Sequence, residues 1–516
     1  MSSGNSRTKN SLLNMGTGFM SRGLIMILGV ISRTVFIKTL GNEYLSVNGL
    51  YSNVLNLLSL AELGFGSAMV YSMYKPLAEK DYGKISSLMG LYRRVYRAIG
   101  CVVFAIGLCL IPFLDWIIKD PPNIENLKLY YFLFLSNSAV SYLFFAYKAS
   151  LLTADQKTYV LNNIRNIVHI VKTIVQVLVL ILFQNYLLFL ISNLFFTVFE
   201  NYIISTSVNR RYKMVLEKGF TELSGNEKKK IWKDVKGLAL IRVGHVILNS
   251  TDNIIITRVV GLAWVGLLSN YSLFVEAITA IICQISNSIH ASLGNYFAEN
   301  NVSDSYRLFK RIEFFHSWIY AYCALMICMC SSPFIKSWIG EKYVLDTPII
   351  IIISINFFVQ GYMNTLNVFR STLGLFTQGW LAPVIVSILN IILSVLLGIK
   401  YGVFGVLIAT FLSRALVNLW YDPLIIHKYG FNKSVIPFYF EYLKRVLIIV
   451  FSYSLSAFIG GGLETAALSP IVGVLANATI TTFVFVVSFL LYGARTDEFH
   501  YWKMYITRFL LSRAKR

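Results

Sequence analysis

Runs of about twenty apolar residues recur along the whole chain, separated by short polar stretches. Leu178 to Phe183 within one run and Pro348 to Val359 within another are typical. In hydrocarbon no water can complete a peptide group, so each run must satisfy its own backbone hydrogen bonds and reads as a helix. The composition agrees: 56% of the 516 residues are hydrophobic and 14% charged, where a soluble domain carries about 25% charged residues. The longest polar segment, Arg210 to Lys236, is too short to bury a core of its own. The expectation is an all-α polytopic membrane protein with spans near 14–37, 44–71, 97–118, 129–152, 159–183, 187–208, 237–258, 265–291, 314–335, 348–369, 380–399, 404–425, 444–462 and 469–492. That makes about fourteen transmembrane helices.

A formal net charge of +21 raises the possibility of nucleic acid, but position decides against it. The Lys and Arg residues cluster in alternate connections, the positive-inside pattern, which places both termini in the cytoplasm. The basic loop Arg210–Lys236 and the tail Arg495–Arg516 then face anionic headgroups. No aromatic-basic module accompanies the charge, so no nucleic-acid partner is expected. The six cysteines (Cys101, Cys109, Cys283, Cys323, Cys328, Cys330) all fall in apolar spans without metal-ligand spacing, and read as packing residues. Neither metal nor cofactor is expected. The polar start, Met1 to Asn10, leads into a full-length span carrying Arg22, which argues against a cleaved signal peptide.

The two halves resemble each other at an offset of 220 residues. Arg22 pairs with Arg242, Lys38 with Arg258, Gly41 with Gly261, Tyr51-Ser52 with Tyr271-Ser272, and Ala78-Glu79 with Ala298-Glu299. Residues 1–209 therefore form an N-lobe of six spans, 210–236 a basic cytoplasmic linker, and 237–426 a C-lobe of six spans. Residues 427–516 hold two further spans and a basic tail. Because six is even, the lobes share one topology and a pseudo-two-fold axis along the membrane normal relates them, as in transporters built from parallel repeats. The last two spans have no counterpart, are expected to be peripheral, and show no ionisable group in their interiors.

Ionisable residues inside spans are costly and mark function. Arg22, Arg33, Arg165, Lys172, Arg242 and Arg414 fall within spans, and helical spacing shows where they point. Arg22 and Arg33 are about three turns apart on one face. Span five carries Asn162, Arg165, His169, Lys172 and Gln176 at steps of three and four, and span seven carries Arg242, His245, Asn249 and Asp252. Span two gives Asn48, Ser52, Asn56, Ser59 and Glu62. Span eight gives Ser269, Ser272, Glu276, Thr279, Cys283, Asn287 and His290, and span ten Asn356, Gln360, Asn364 and Asn367. As interhelical glue each would contribute only about 0.6 to 2 kcal/mol. Cross-helix pairing with Glu62, Asp252 or Glu276 would neutralise some of the six cations but not all, and surplus positive charge lining a cavity fits an anionic substrate. His169, His245 and His290 are possible proton-linked switches.

No G-x-S-x-G, HExxH, P-loop or strand-helix GxGxxG is present, so the chain does not read as an enzyme. The stretches Lys9-Asn10-Ser11, Arg33-Thr34, Leu40-Gly41-Asn42-Glu43-Tyr44-Leu45, Gly49-Leu50-Tyr51 and Glu62-Leu63-Gly64-Phe65-Gly66 carry a resemblance, echoed at Ser250-Thr251-Asp252-Asn253 and Val260-Gly261. The chain resembles the Wzx-type polysaccharide-biosynthesis flippases of the multidrug/oligosaccharidyl-lipid/polysaccharide (MOP) superfamily, the O-antigen and capsule repeat-unit translocases. That resemblance implies a two-lobed bundle in the bacterial cytoplasmic membrane that moves an undecaprenyl-pyrophosphate-linked oligosaccharide outward. It also implies polymerase and glycosyltransferase partners from the same pathway. The pyrophosphate is assigned to Arg22, Arg33 and Arg242, then Arg165 and Lys172, since arginine donates two hydrogen bonds at once to phosphate. Glu62, Asp252, Glu276 and His245 are the candidates for ion or proton coupling. Asn48, Ser52, Asn56, Asn249, Asn287, Gln360 and Asn364 are expected to line the cavity. The rival readings are a peptidoglycan-precursor flippase, a cation-coupled drug exporter of the same superfamily, and a membrane assembly scaffold.

Overall fold

A computed structural model of the chain describes residues 2–62, 65–118, 122, 124–217, 224–225, 229, 231–232, 235, 250–299, 301–375, 378, 381–464 and 470–514. Side chains 1–22, 285–290 and a few others lie outside that description. Among the described residues the secondary structure is helical, with no strand. The principal helices are α1 (Ser2–Leu58), α2 (Phe65–Glu79), α3 (Tyr82–Leu110), α4 (Leu127–Leu143), α5 (Ala149–Ala154), α6 (Thr158–Phe183) and α7 (Tyr186–Arg211). They are followed by α8 (Ala263–Glu299), α9 (Val302–Trp338), α10 (Thr347–Thr372), α11 (Ala382–Leu416) and α12 (Asn418–Ile425). The chain closes with α13 (Ile436–Glu464), α14 (Pro470–Gly493) and α15 (Asp497–Ala514).

Ten of these helical stretches are long and apolar enough to cross a membrane, and α4 with the segment Ala146–Ala154 makes a further span bent by 46°. Two of the ten carry a pair of expected spans each. In Gly23–Leu58 the helix breaks at Gly41 (φ 84°), and in Ala382–Gly430 it breaks at Gly402 (φ 61°). A positive φ there suits glycine, which has no Cβ to clash. Residues 250–259 are the helical end of the expected span 237–258. The chain is thus an all-α polytopic membrane protein of about fourteen spans.

The 220-residue offset reappears in local structure. Gly41 and its counterpart Gly261 (φ 141°) both adopt positive φ. The N-caps of α3 and α9 are Asp81 and Asn301, whose side chains accept from the Lys84 and Asp304 N–H groups at 3.0 and 2.9 Å. α4 and α10 also start in register, at Leu127 and Thr347. A short polar side chain at each cap satisfies one of the helix's orphan N–H groups, so the same residue class recurs where the same start is needed.

Contacts divide the chain into two compact units. The first holds residues 1–269 and 398–406. In it α1 packs along α6, α6 on α7, α3 on α4, α4 on α7, and α2 on α3 and α5. Its core includes Phe65, Met69, Met73, Met89, Tyr92 and Leu151. The turn from α6 to α7 is short because Gln184 takes the left-handed conformation and Asn185 caps α7, accepting from the Leu188 N–H at 3.1 Å.

The second unit holds residues 270–397 and 407–516. In it α9 packs on α10 and α14, α13 on α14, and α10 on α12. Aromatic rings fill the contact of α9 with α14, Trp318 lying 5.0 Å from Phe489 and 5.7 Å from Phe485 between centroids. Gly361 lets α10 approach α9, for a Cβ there would sit 2.1 Å from the Tyr320 ring. Gly361→Ala should therefore destabilise the protein by about 1–3 kcal/mol through overpacking. Gly23→Ala, which meets nothing within 4 Å, should leave the melting temperature in detergent unchanged.

Candidate functional site

Arg33 lies in the first unit, half-buried on α1. Its Nη1 donates to Ser269 Oγ at 3.0 Å and its Nη2 to the Ser269 carbonyl at 3.3 Å. Spans one and eight thus meet through two of the polar positions read from the sequence. Close by along the chain, Asn42 Nδ2 donates to the Ala263 carbonyl at 3.2 Å, and a Cβ on Gly266 would meet Ser46 and Asn42. The turns after Gly41 and Gly261 are therefore held together by small and amide side chains.

The cations of span five lie on α6, which packs along α1. Its buried face is Val160, Leu161, Val168, Thr173, Gln176 and Leu180, so Arg165 points away from that face and its side chain is 53% exposed. The partner of Arg165 is none of Glu62, Asp252 and Glu276 but Glu200 on α7, with Nε–Oε1 at 3.3 Å. The charge of Glu200 also reaches Lys172. Helices α6 and α7 form a tight hairpin, which brings Glu200, the acid within span six, opposite the cations of span five.

Glu62 sits where span two is interrupted, in the 3₁₀ turn Ser59–Glu62. Its Oε1 accepts from the Tyr96 hydroxyl at 2.7 Å, and Tyr96 packs edge-on against Tyr92 at 4.5 Å. Gly66 leaves room for all three groups, since a Cβ there would clash with Glu62, Tyr92 and Tyr96. Asn48 Oδ1 accepts from the Tyr186 hydroxyl at 3.5 Å. Ser52 and Asn56 are exposed on α1, and the Ser52 hydroxyl donates back to the Asn48 carbonyl.

In the second unit Glu276 is exposed on α8, and Asn364 on α10 donates to Cys283 Sγ at 3.9 Å. Gln360 is half-buried on the same helix as Asn356, whose Nδ2 donates to the Leu407 carbonyl at 2.8 Å. Asp252 is half-buried in the helical stretch 250–259 of the first unit. Arg242, His245 and Asn249, and the side chains of Arg22, Asn287 and His290, lie outside the described residues.

Two buried ion pairs of the second unit are structural. Arg445 on α13 donates from Nη1 to both carboxylate oxygens of Glu313 at 2.8 and 2.7 Å, with the side chains 8% and 2% exposed. Arg370 holds Asp422 at 3.0 Å, and Asn418 donates to the second carboxylate oxygen at 2.9 Å. Arg445 is the ionisable group the sequence reading left out of span thirteen. Removing one partner of a buried pair strands the other charge. Glu313→Gln should therefore cost about 3–5 kcal/mol of stability, partly restored in the Glu313→Gln, Arg445→Met double variant. The exposed pair predicts the opposite outcome: Arg165→Ala should change stability by less than about 1 kcal/mol. Denaturation of the purified protein in detergent compares the three.

No protein-family model matches the sequence, and no curated protein matches it. Solved structures do match its fold. A lipid II flippase, MurJ, in an inward-closed conformation aligns with a TM-score of 0.65 at 16% identity, over 93% of this chain and 98% of that one. An inward-facing multidrug resistance MATE family transporter of the MOP superfamily gives 0.60 at 12% identity, over 80% and 97%. The Vibrio cholerae MATE transporter VcmN, as a point mutant, gives 0.57 at 14%, over 84% and 99%. The fold of this chain is the one these three proteins share.

Proposed function

We propose that the chain is a flippase that carries an undecaprenyl-pyrophosphate-linked oligosaccharide across the bacterial cytoplasmic membrane, for surface polysaccharide, by alternating access through a cationic cavity. The observation that carries this reading is the charged face of α6. Arg165 is 53% exposed at membrane depth, with Lys172 two turns on and α1 with Arg33 packed alongside. A cation facing hydrocarbon there costs several kcal/mol, so this face belongs on a water-filled side, where a pyrophosphate compensates the charge. Arg33 is the first donor, with Arg22 and Arg242 as its companions and Arg165 and Lys172 next. Asn48, Ser52 and Asn56 on the same unit solvate the sugars while the prenyl tail stays in lipid, and Gln360 and Asn364 of the second unit remain candidates for polar lining there.

Glu62 is the coupling candidate with the most defined surroundings, because its carboxylate is held by a phenol at a break in a span. Asp252, Glu276 and His245 are further candidates. A peptidoglycan-precursor flippase is the second reading. The fold match to MurJ spans 93% of this chain, against 80% and 84% for the two MATE transporters. A drug exporter fits less well, since a cationic drug calls for acids on the α6 face and that face carries cations. The polymerase and glycosyltransferases of the same pathway are the proposed partners.

Deleting the gene should make a lipid-linked oligosaccharide accumulate on the cytoplasmic side, and mass spectrometry of that lipid names the substrate. Arg33→Ala should lower surface glycan at least tenfold with the protein still in the membrane, and Arg33→Lys should restore only part. The Arg22→Ala, Arg242→Ala double variant should abolish it. Unchanged glycan in both cases would sink the cationic-cavity reading.

A further inference from the structure

The bent span of the first unit contains a feature that the transport reading does not use. α4 ends at Leu143, Phe145 takes the left-handed conformation (φ 60°, ψ 3°), and a 3₁₀ turn Ala146–Lys148 leads into α5. A bulky aromatic at positive φ is a strained conformation that persists only where the surroundings impose it, often at functional sites. The break delivers Lys148 into the protein, where the residue is 8% exposed. Its Nζ donates to Ser205 Oγ at 2.9 Å and Asn209 Oδ1 at 2.7 Å, and stands 4.9 Å from the centre of the Phe145 ring. All three partners are uncharged.

A buried ammonium ordinarily keeps a carboxylate. Lys157, at the same end of the unit, has one: Asp155 Oδ2 lies 2.6 Å from its Nζ. Among the described residues Lys148 has none, and what acts on it is more positive charge, from Arg93. Arg93 and Arg97 are one turn apart on α3, and the charge of both reaches the buried Tyr147. Arg97 is exposed, with no ion pair among the described residues. Helix α3, which carries Arg93 and Arg97, packs against the turn Ala146–Lys148, so three cations lie about one helix break, and Lys148 has a third N–H left after its two neutral acceptors.

We propose that Lys148, Arg97 and Arg93 form a seat for a phosphate group carried on a lipid, at the end of the unit that the positive-inside pattern assigns to the cytoplasm. The phosphate belongs either to a bilayer phospholipid or to a polyprenyl-linked substrate loading from the inner leaflet. The second source rests on the flippase reading and the first does not.

The test uses the full-length protein in dodecyl maltoside, with lipid binding followed by native mass spectrometry. The probes are phosphatidylglycerol, phosphatidylcholine and a polyprenyl monophosphate. The wild type should bind at least one of the two net-anionic lipids about tenfold tighter than phosphatidylcholine. Lys148→Met should weaken that binding about tenfold and Lys148→Arg about twofold at most, as for loss or retention of a charged hydrogen bond. Arg97→Gln should weaken it about threefold, and its exposed position keeps the test decisive if Lys148→Met fails to fold. Preference for the polyprenyl phosphate assigns the seat to the substrate; equal or better binding of phosphatidylglycerol assigns it to the bilayer. A purely structural Lys148 would lower the melting temperature of Lys148→Met while lipid affinity stayed at the wild-type value, and that result overturns the proposal. So does a wild type without preference for anionic lipid. Loss of phosphatidylglycerol binding in Lys148→Met, with no lipid-linked sugar accumulating on gene deletion, would leave the seat standing and the flippase reading fallen.

Discussion

Inside hydrocarbon a peptide group has only other peptide groups to bond with, and the rest of this fold follows from that restriction. Each apolar run becomes a helix, so the places where the helical ladder stops carry the information. Such places among the described residues include Gly41, the turn Ser59–Glu62, the Phe144–Phe145 bend and Gly402. The two glycines end one span and begin the next. The other two fall inside spans, and each has a charged side chain at the break, Glu62 in one and Lys148 in the other. Irregular backbone at membrane depth is tolerated where protein buries it or water reaches it, so both breaks mark polar interiors in the first unit.

Charge is sorted accordingly. In the second unit two ion pairs are buried in the packing, Arg445 on Glu313 and Arg370 on Asp422. Two cations of the first unit are held differently. Arg165 has a single-point contact to Glu200 on an exposed face, and Lys148 is hydrogen-bonded to a serine and an asparagine. Neutral acceptors hold a cation in place without cancelling its charge, which leaves its field available to an anion.

Much of this was legible in the sequence. The apolar runs mark the spans, and the offset pairs Gly41 with Gly261; the positive φ at both glycines and the matching caps Asp81 and Asn301 are what the structure adds to that repeat. What the sequence withheld was neighbourhood. Spacing along a helix says that Arg165 and Lys172 share a face, but Glu200 becomes their counter-charge only through the hairpin at Gln184. Lys148 falls inside the expected span 129–152 but is not counted with the six cations, and its neighbours are not readable either. Counting turns assumes a continuous helix, and the bend at Phe145 resets the count just before it. Tyr96 has no sequence signal of its own, and only the 3₁₀ turn brings Glu62 against its hydroxyl.

The Glu313–Arg445 pair also bears on how the protein is made. Its partners are 132 residues apart. A ribosome adding about 5–20 residues per second therefore exposes Glu313 on the order of ten seconds before its arginine exists. Through that interval the carboxylate needs another host: interfacial water, a headgroup or the insertion machinery. Final assembly of the second unit must wait for α13. A chain released after twelve spans would keep that acid unmatched, a signal that membrane quality control could read.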